Sequence, residues 1–168
     1  MHTELITKLK SVGVIEQGDF ILRSGEHSDF YCDLKKSFGH PFVLHDIAVA
    51  LKSLIPNGTT CLAAAGYGGI PLATALSLES TLPLCLVRDV VKEHGTKSLF
   101  DGYIPTSSDR VAIVDDVFTT GGSAHDIITK LSQLGCSVNS VLVAVRRGSL
   151  SPDLPVKALF TDAELFPS

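Results

Sequence analysis

The sequence predicts an α/β fold in which helices cover both faces of a doubly wound parallel sheet. From residue 60 onward, short apolar segments alternate with segments of helical periodicity, which is the pattern of strand–helix–strand units. The apolar segments are nearly continuous, as expected for strands that are buried on both faces. Ligands of such sheets bind beyond the carboxyl ends of the strands, so we expect the functional residues in the loops that follow them.

The elements follow in order along one predicted domain, residues 1–168. A first helix is expected to end near Gly13, and two short strands at residues 20–22 and 30–34 are expected to turn at Ser24 and Gly25. Helices are then predicted at residues 41–55, 70–78 and 124–134. Strands are predicted at residues 60–64, 82–87, 111–114 and 138–145.

Charge and composition exclude several classes of protein. The net charge of −4 provides no basic field for nucleic acid or an anionic membrane, so we expect neither partner. The longest apolar runs are far too short to span a bilayer, and the first residues do not resemble a secretory signal. The four cysteines show no metal-ligand spacing, which favours reduced, buried thiols in a cytoplasmic protein.

The strongest functional pattern is the run VAIVDDVFTTGGS at residues 111–123. Asp115 and Asp116 follow four apolar residues, at the expected end of a buried strand. Five small residues then precede a helix: Thr119, Thr120, Gly121, Gly122 and Ser123. Small residues at a helix amino terminus let backbone N–H groups close around a phosphate. Paired carboxylates suit the hydroxyls of a ribose and a ribose carbon that becomes cationic during glycosyl transfer.

Simpler interpretations of two segments are also open. In the first, Ser123 caps the following helix together with Asp126, and the paired aspartates are merely solvated. In the second, the long polar segment 89–102 is a solvated surface loop rather than a lid. A nucleoside-triphosphate loop is set aside because the lysine of the GxxxxGK[ST] pattern is missing.

The run at residues 111–123 resembles the signature of the type I phosphoribosyltransferases, which bind 5-phosphoribosyl 1-pyrophosphate (PRPP). The resemblance implies the type I phosphoribosyltransferase fold, in which Asp115 and Asp116 bind the ribose hydroxyls and residues 119–123 hold the 5-phosphate. It also implies Mg²⁺ as cofactor. This ion would be carried by the pyrophosphate and ribose oxygens of PRPP rather than by direct protein ligands.

Other segments are similar to the orotate phosphoribosyltransferases, and the likeness spans most of the chain. GDFILRSG at residues 18–25 and SDFY at residues 28–31 resemble the amino-terminal hood of that family, about residues 1–40, which covers the base. AGYGGIPLA at residues 65–73 resembles its pyrophosphate loop, which often carries a cis peptide, here between Gly66 and Tyr67. LFTDAEL at residues 159–165 resembles its closing strand and helix.

The resemblance implies roles for individual residues in making orotidine 5-monophosphate, an intermediate of UMP and pyrimidine biosynthesis. The pyrophosphate side of PRPP would be bound by Tyr67, Gly68 and Arg88. Lys92 and His94, at the spacing of the family's mobile catalytic lid, would act on the leaving pyrophosphate. Orotate would be bound by Arg23, Tyr31, Thr119 and Arg147. The arginines would form bidentate contacts with a carboxylate or ring carbonyl.

The resemblance further implies a homodimer with shared active sites, because the lid of one subunit reaches the site of the other. Some positions depart from the family pattern. Bacterial members commonly have Lys after the tyrosine of the pyrophosphate loop and after the lid arginine, where this chain has Gly68 and Asp89. Arg146 replaces an Asp beside Arg147. Two alternatives stay open: a phosphoribosyltransferase for another base, and a regulator that binds PRPP without turnover. The net charge disfavours a regulator that binds nucleic acid.

Overall fold

The computed structural model describes residues 2–21, 27–90, 98–147 and 154–166. The helices are α1 (His2–Ser11), a 3₁₀ helix (Leu34–Gly39), α2 (Pro41–Lys52), α3 (Gly66–Ser80), α4 (Gly122–Ser132) and α5 (Asp162–Leu165). The strands are β1 (Ile15–Ile21), β2 (His27–Cys32), β3 (Cys61–Ala64), β4 (Leu84–Val87), β5 (Phe100–Gly102), β6 (Arg110–Phe118), β7 (Ser137–Arg146) and β8 (Val156–Thr161). Within these ranges no helix is long and apolar enough to cross a membrane.

Six strands form the main sheet in the order β5-β4-β3-β6-β7-β8. All neighbouring pairs are parallel except β4 and β5. The chain winds outward in one direction from β3 through α3 to β4, and in the other direction from β6 through α4 to β7. The winding therefore reverses between β3 and β6, and such a switch point is where open α/β sheets bind ligands.

Successive side chains of β6 point to opposite faces of this sheet. Ala112 and Val114 are fully buried in a core shared with α2 and α3, whereas Val111 and Ile113 are fully buried in a second core shared with α4. Strand residues that alternate in this way are covered on both sides. The predicted doubly wound sheet with helices on both faces is thereby confirmed, and β6 lies in its interior rather than at an edge.

The amino-terminal strands β1 and β2 form a separate antiparallel sheet of two strands. The 3₁₀ helix that follows is anchored in the core by Leu34 and Ser37, which are both fully buried. The Ser37 hydroxyl donates a hydrogen bond of 2.6 Å to the Leu34 carbonyl oxygen. This anchor joins the two-stranded sheet to the main body of the protein.

Several local features differ from the sequence predictions, among them the start of β1 at Ile15 and of α3 at Gly66, and three further differences bear on the site. The prediction ended β6 at residue 114, but parallel pairing with β7 continues to Phe118. The predicted lid segment 89–102 contains β5, and the Arg88 N–H donates to the Leu99 carbonyl oxygen at 2.8 Å. The described residues contain no cis peptide, so the one expected between Gly66 and Tyr67 is not found.

Asp109 fixes the entry to β6 through a cluster of hydrogen bonds. Its Oδ1 accepts from the Thr60 hydroxyl at 2.6 Å. Its Oδ2 accepts from the Thr106 N–H at 2.7 Å, the Thr106 hydroxyl at 2.9 Å and the Tyr103 hydroxyl at 3.1 Å. The hydrogen bonds from Thr60 and Thr106 stabilise the carboxylate and lower the pKa of Asp109 to about 2.

We expect Asp109→Asn to lower the free energy of unfolding at pH 7 by about 1.5–3 kcal/mol, because an amide NH₂ would face donors that now share one carboxylate oxygen. Since the folded-state pKa is depressed, the difference between wild type and variant should shrink as the pH falls from about 4 towards 2. Urea unfolding at a series of pH values measures this. Asp46→Asn, which breaks an exposed ion pair with Lys8, is the control and should cost less than about 1 kcal/mol. Equal losses for both variants would contradict the role of Asp109.

Candidate active site

A cavity of about 380 Å³ opens at the switch point between β3 and β6. Its walls come from the end of β3 and start of α3, the end of β6, the first turns of α4, and the 3₁₀ helix. The lining residues are Lys35, Ala65, Gly66, Gly68, Asp89, Asp115, Asp116, Val117, Ser123 and Asp126. The volume lies within the range of small-molecule sites.

The first turn of α3 lies directly on the end of β6. A Cβ atom added to Gly68 would lie 2.4 Å from Asp116 Oδ1, and one added to Gly69 would lie 2.7 Å from the Val114 carbonyl oxygen. Both distances are far below van der Waals contact. In this arrangement a side chain at position 68 would displace the Asp116 carboxylate, and glycine is what allows the close approach.

Asp115 and Asp116 lie side by side at the cavity wall. Asp115 Oδ1 accepts from the Asp116 N–H, and Asp116 Oδ1 accepts from the Val117 N–H, each at 2.9 Å. Burial, together with the neighbouring charge of Asp116, raises the pKa of the Asp115 carboxyl to about 7. The structure therefore brings the predicted pair together in a setting where each ionised carboxylate is poorly solvated.

Lys35 was not predicted as a site residue, yet it reaches this pair. Its Nζ donates to Asp116 Oδ2 at 3.0 Å, across 81 positions of sequence. Burial disfavours the charged form of Lys35, but the hydrogen bond and the attraction of Asp116 outweigh it and raise the pKa of the ammonium group. No local motif connects residues 35 and 116, so sequence patterns could not reveal this contact.

Residues 118–124 line a second cavity of about 150 Å³, next to the first. Gly121 is the N-cap of α4, with φ of 82° and no side-chain capping bond. This positive φ favours glycine, and a Cβ atom there would also lie 2.9 Å from Leu154 Cδ1. The first N–H groups of α4 have no partner within the helix and can bind an anion.

The simpler interpretation of Ser123 as the helix cap is wrong, because the helix begins one residue earlier, at Gly122, and its N-cap is Gly121. Asp126 instead forms an ion pair of 2.5 Å with Lys130, one turn further along α4. The Ser123 side chain lines both cavities. All five predicted phosphate-binding residues, 119–123, therefore line one concave surface.

The residues predicted to bind pyrophosphate are placed differently from one another. Gly68 lines the main cavity, whereas Tyr67 in the first turn of α3 is 91% exposed. The Arg88 guanidinium forms an ion pair with Asp101 on β5, and Asp89 rather than Arg88 lines the cavity. Arg88 Nε is buried without a hydrogen-bond partner among the described residues. Lys92 and His94 lie outside the described residues.

The structure places two of the residues predicted to bind orotate, Arg147 and Tyr31, outside the glycine-rich loop. The Arg147 N–H donates to the Phe118 carbonyl oxygen at 2.8 Å, and its guanidinium carbon lies 5.5 Å from the centre of the Phe30 ring on β2. Tyr31, also on β2, is 41% exposed, and its ring centre lies 5.5 Å from that of Phe20. Arg23 lies outside the described residues. The amino-terminal strands and Arg147 thus meet on the side of β6 that bears the phosphate loop.

A switch-point cavity with paired aspartates, next to a glycine-rich loop on a doubly wound sheet, is the arrangement expected of a type I phosphoribosyltransferase. No protein-family model matches the sequence. The chain is 42% identical to an orotate phosphoribosyltransferase of Methanosarcina acetivorans, with 98% of this chain and 86% of that protein aligned. An orotate phosphoribosyltransferase of Methanocaldococcus jannaschii is 37% identical, over 86% of this chain and 82% of that one. The chain belongs to the orotate phosphoribosyltransferase family, whose members are pentosyltransferases.

The structural comparison agrees with the sequence comparison. The crystal structure of orotate phosphoribosyltransferase from Aeropyrum pernix superposes with a TM-score of 0.79 at 28% identity. The alignment covers 96% of this chain and 95% of that one. The fold predicted from the sequence is therefore found in a solved member of the same family.

The raised pKa of Asp115 leads to a prediction for Asp115→Asn. In wild type the carboxyl is harder to ionise in the folded state, so its contribution to stability should decrease as the pH rises from about 4 to about 7. The free energy of unfolding of the variant, relative to wild type, should therefore increase by at least about 1 kcal/mol between pH 5 and pH 8. Urea unfolding at both values measures this. Ser123→Ala, which changes no charge, should show a constant difference. A pH-independent difference for Asp115→Asn would refute the buried-carboxyl assignment.

Proposed function

We propose that this protein transfers the 5-phosphoribosyl group from PRPP to orotate, giving orotidine 5-monophosphate and pyrophosphate. The observation that carries this proposal is the position of Asp115 and Asp116 at the switch point, directly beside the anion cradle of residues 119–123. PRPP has a phosphate at one end, a ribose in the middle and an anionic leaving group at the other end. An anion-binding loop next to a pair of carboxylates matches the phosphate and the ribose of such a donor.

The donor is bound from the phosphate end inward. The backbone N–H groups at the start of α4 and the hydroxyls of Thr119, Thr120 and Ser123 hold the 5-phosphate. Asp115 and Asp116 accept hydrogen bonds from the ribose hydroxyls. Because this pair is poorly solvated, the negative charge that it carries attracts a ribose carbon that becomes cationic more strongly than it would in water.

Mg²⁺ fits the charge of the main cavity. Four of its lining residues are aspartates: Asp89, Asp115, Asp116 and Asp126. A polyanionic donor entering such a cavity needs cations, and Mg²⁺ bound to the pyrophosphate and ribose oxygens of PRPP would neutralise part of its charge. The described residues contain no group of three or more His, Cys, Asp or Glu side chains arranged to hold a metal.

In the reaction, the bond from the ribose C1 to the pyrophosphate oxygen breaks and a bond from C1 to a ring nitrogen of orotate forms. That nitrogen loses its proton, which passes to the departing pyrophosphate or to solvent. Lys92, His94 and Arg88 stabilise the negative charge that develops on the leaving pyrophosphate. Arg88 would exchange its partner Asp101 for the pyrophosphate, because the two carry the same sign of charge. Closure of the lid excludes water, which would otherwise capture the ribosyl cation.

Orotate is bound between the amino-terminal hood and the end of β7. Arg147 offers its guanidinium to the orotate carboxylate or a ring carbonyl, supported by the nearby Phe30 ring. Arg23, Tyr31 and Thr119 complete this side of the site. We propose that about residues 1–40 form the hood over the base, within one phosphoribosyltransferase domain.

The protein acts in the cytoplasm as a homodimer with shared active sites. Burial of Cys32, Cys61 and Cys85, which raises the pKa of the Cys85 thiol to about 12, is consistent with a reducing compartment. Exposed apolar side chains support a subunit contact: Phe42 and Leu78 on α2 and α3 are 87% and 78% exposed.

A base panel tests the proposed reaction. The purified protein, PRPP and Mg²⁺ are incubated with orotate, uracil, adenine, guanine and hypoxanthine, and the nucleotide products are quantified. We expect orotidine 5-monophosphate alone, with turnover reduced at least about 10²-fold in the Asp115→Asn/Asp116→Asn variant because the cationic carbon loses its stabilisation. Turnover of another base would reassign the substrate. PRPP binding without any product would favour the regulator.

Mixed dimers test the lid and the shared site together. Lys92→Ala should lower kcat about 10²–10³-fold with little change in the KM for PRPP, because its charge acts mainly in the transition state. When this variant is refolded with Asp115→Asn/Asp116→Asn in equal amounts, about a quarter of the sites should regain both an intact lid and an intact carboxylate pair. Sedimentation equilibrium confirms the dimer. No recovery of activity from a demonstrated dimer would show that each lid serves its own subunit.

A further inference from the structure

The charges around the main cavity are unbalanced. Among its described lining residues, Lys35 is the only cation, while four are aspartates. The Lys35 ammonium group contacts one of these, Asp116, and its side chain is 56% exposed. The Asp116 side chain is only 11% exposed, so the pair neutralises a buried carboxylate, while the half-exposed ammonium group remains accessible to an anion that enters the cavity.

We propose that Lys35 is a binding residue for the pyrophosphate of the donor, a role that rests on the proposed function. In the empty site its ammonium group pairs with Asp116. When PRPP binds, the ammonium group turns to the pyrophosphate, as Asp116 becomes occupied by the ribose hydroxyls. A half-exposed lysine on a four-carbon stem can make this change without moving its backbone.

The close packing of α3 on β6 explains why this cation comes from another part of the chain. Gly68 follows Tyr67 in the predicted pyrophosphate loop, and a Cβ at this position would lie within 2.4–2.7 Å of three carboxylate atoms of Asp116. A side chain at position 68 cannot therefore be built without displacing Asp116. Lys35, on the 3₁₀ helix, reaches the same carboxylate with its Nζ, 3.0 Å from Asp116 Oδ2.

The backbone of Lys35 is held in place by its neighbours. Leu34 and Ser37 are fully buried, and the Lys35 N–H donates to Asp33 Oδ1 at 3.2 Å. Lys36, the next residue, points away from the cavity and forms an ion pair with Glu16 on β1. Two adjacent lysines on one short helix thus have different surroundings, and Lys36 provides a matched control for Lys35.

The test uses inorganic pyrophosphate with Mg²⁺, and separately PRPP with Mg²⁺, as titrants in calorimetry. We expect Lys35→Met to weaken binding of both about tenfold or more, because a charged hydrogen-bonding partner is lost. Lys35→Arg should recover most of the affinity, since it keeps the charge. Lys36→Met should bind both as wild type does. In turnover assays the KM for PRPP should rise in Lys35→Met while the KM for orotate stays the same.

Other results would overturn the proposal. If Lys35→Met binds pyrophosphate as wild type does, Lys35 is not a pyrophosphate residue. If Lys35→Met and Lys36→Met weaken binding equally, the effect comes from the loss of one positive charge anywhere on the 3₁₀ helix and not from a contact made by Lys35. If the wild-type protein turns over no base at all, the proposed reaction fails, yet the pyrophosphate titration still decides the role of Lys35. The two failures are therefore distinguishable.

Discussion

The site depends on the contact between the first turn of α3 and the end of β6. Gly68 and Gly69 let α3 approach the Asp116 carboxylate and the Val114 carbonyl oxygen closely. The register of the parallel pair β3 and β6 determines which residues of β6 the start of α3 meets. Asp116 is held between this contact and Lys35. A side chain at Gly68 would displace the Asp116 carboxylate and one at Gly69 would press on the Val114 carbonyl oxygen, so the geometry of the cavity depends on the absence of two Cβ atoms.

The parts of the fold that follow a simple periodicity could be predicted from the sequence. The buried run of β6 was recognised from its four apolar residues, but its end was placed too early because charged residues rarely lie within a central strand. Asp115 and Asp116 can do so here because they lie at the carboxyl end, where the sheet opens into the cavity. The strand β5 was missed because its three residues are too few to show an alternating pattern.

The candidate site was predictable where its residues are adjacent in sequence. Residues 115–123 form one continuous run, so the carboxylate pair and the glycine-rich loop beside it could be predicted together. Contacts between residues that are far apart in sequence could not be predicted in this way. Lys35 meets Asp116 only because the 3₁₀ helix packs beside β6, and Arg88 meets Asp101 only because β5 folds back on β4. The close approach at Gly68 likewise depends on the crossing of two elements, which a sequence motif does not specify.

The pairing of β5 with β4 has a further consequence for the evolution of the family. The hydrogen bond from the Arg88 N–H to the Leu99 carbonyl oxygen holds residues 88 and 99 next to each other at one edge of the sheet. Once the ends of a loop are fixed, doubling its length costs only about 0.6 kcal/mol in closure entropy. By this argument the number of residues between 88 and 99 can change at little cost in stability, so evolution can vary it while the sheet stays unchanged.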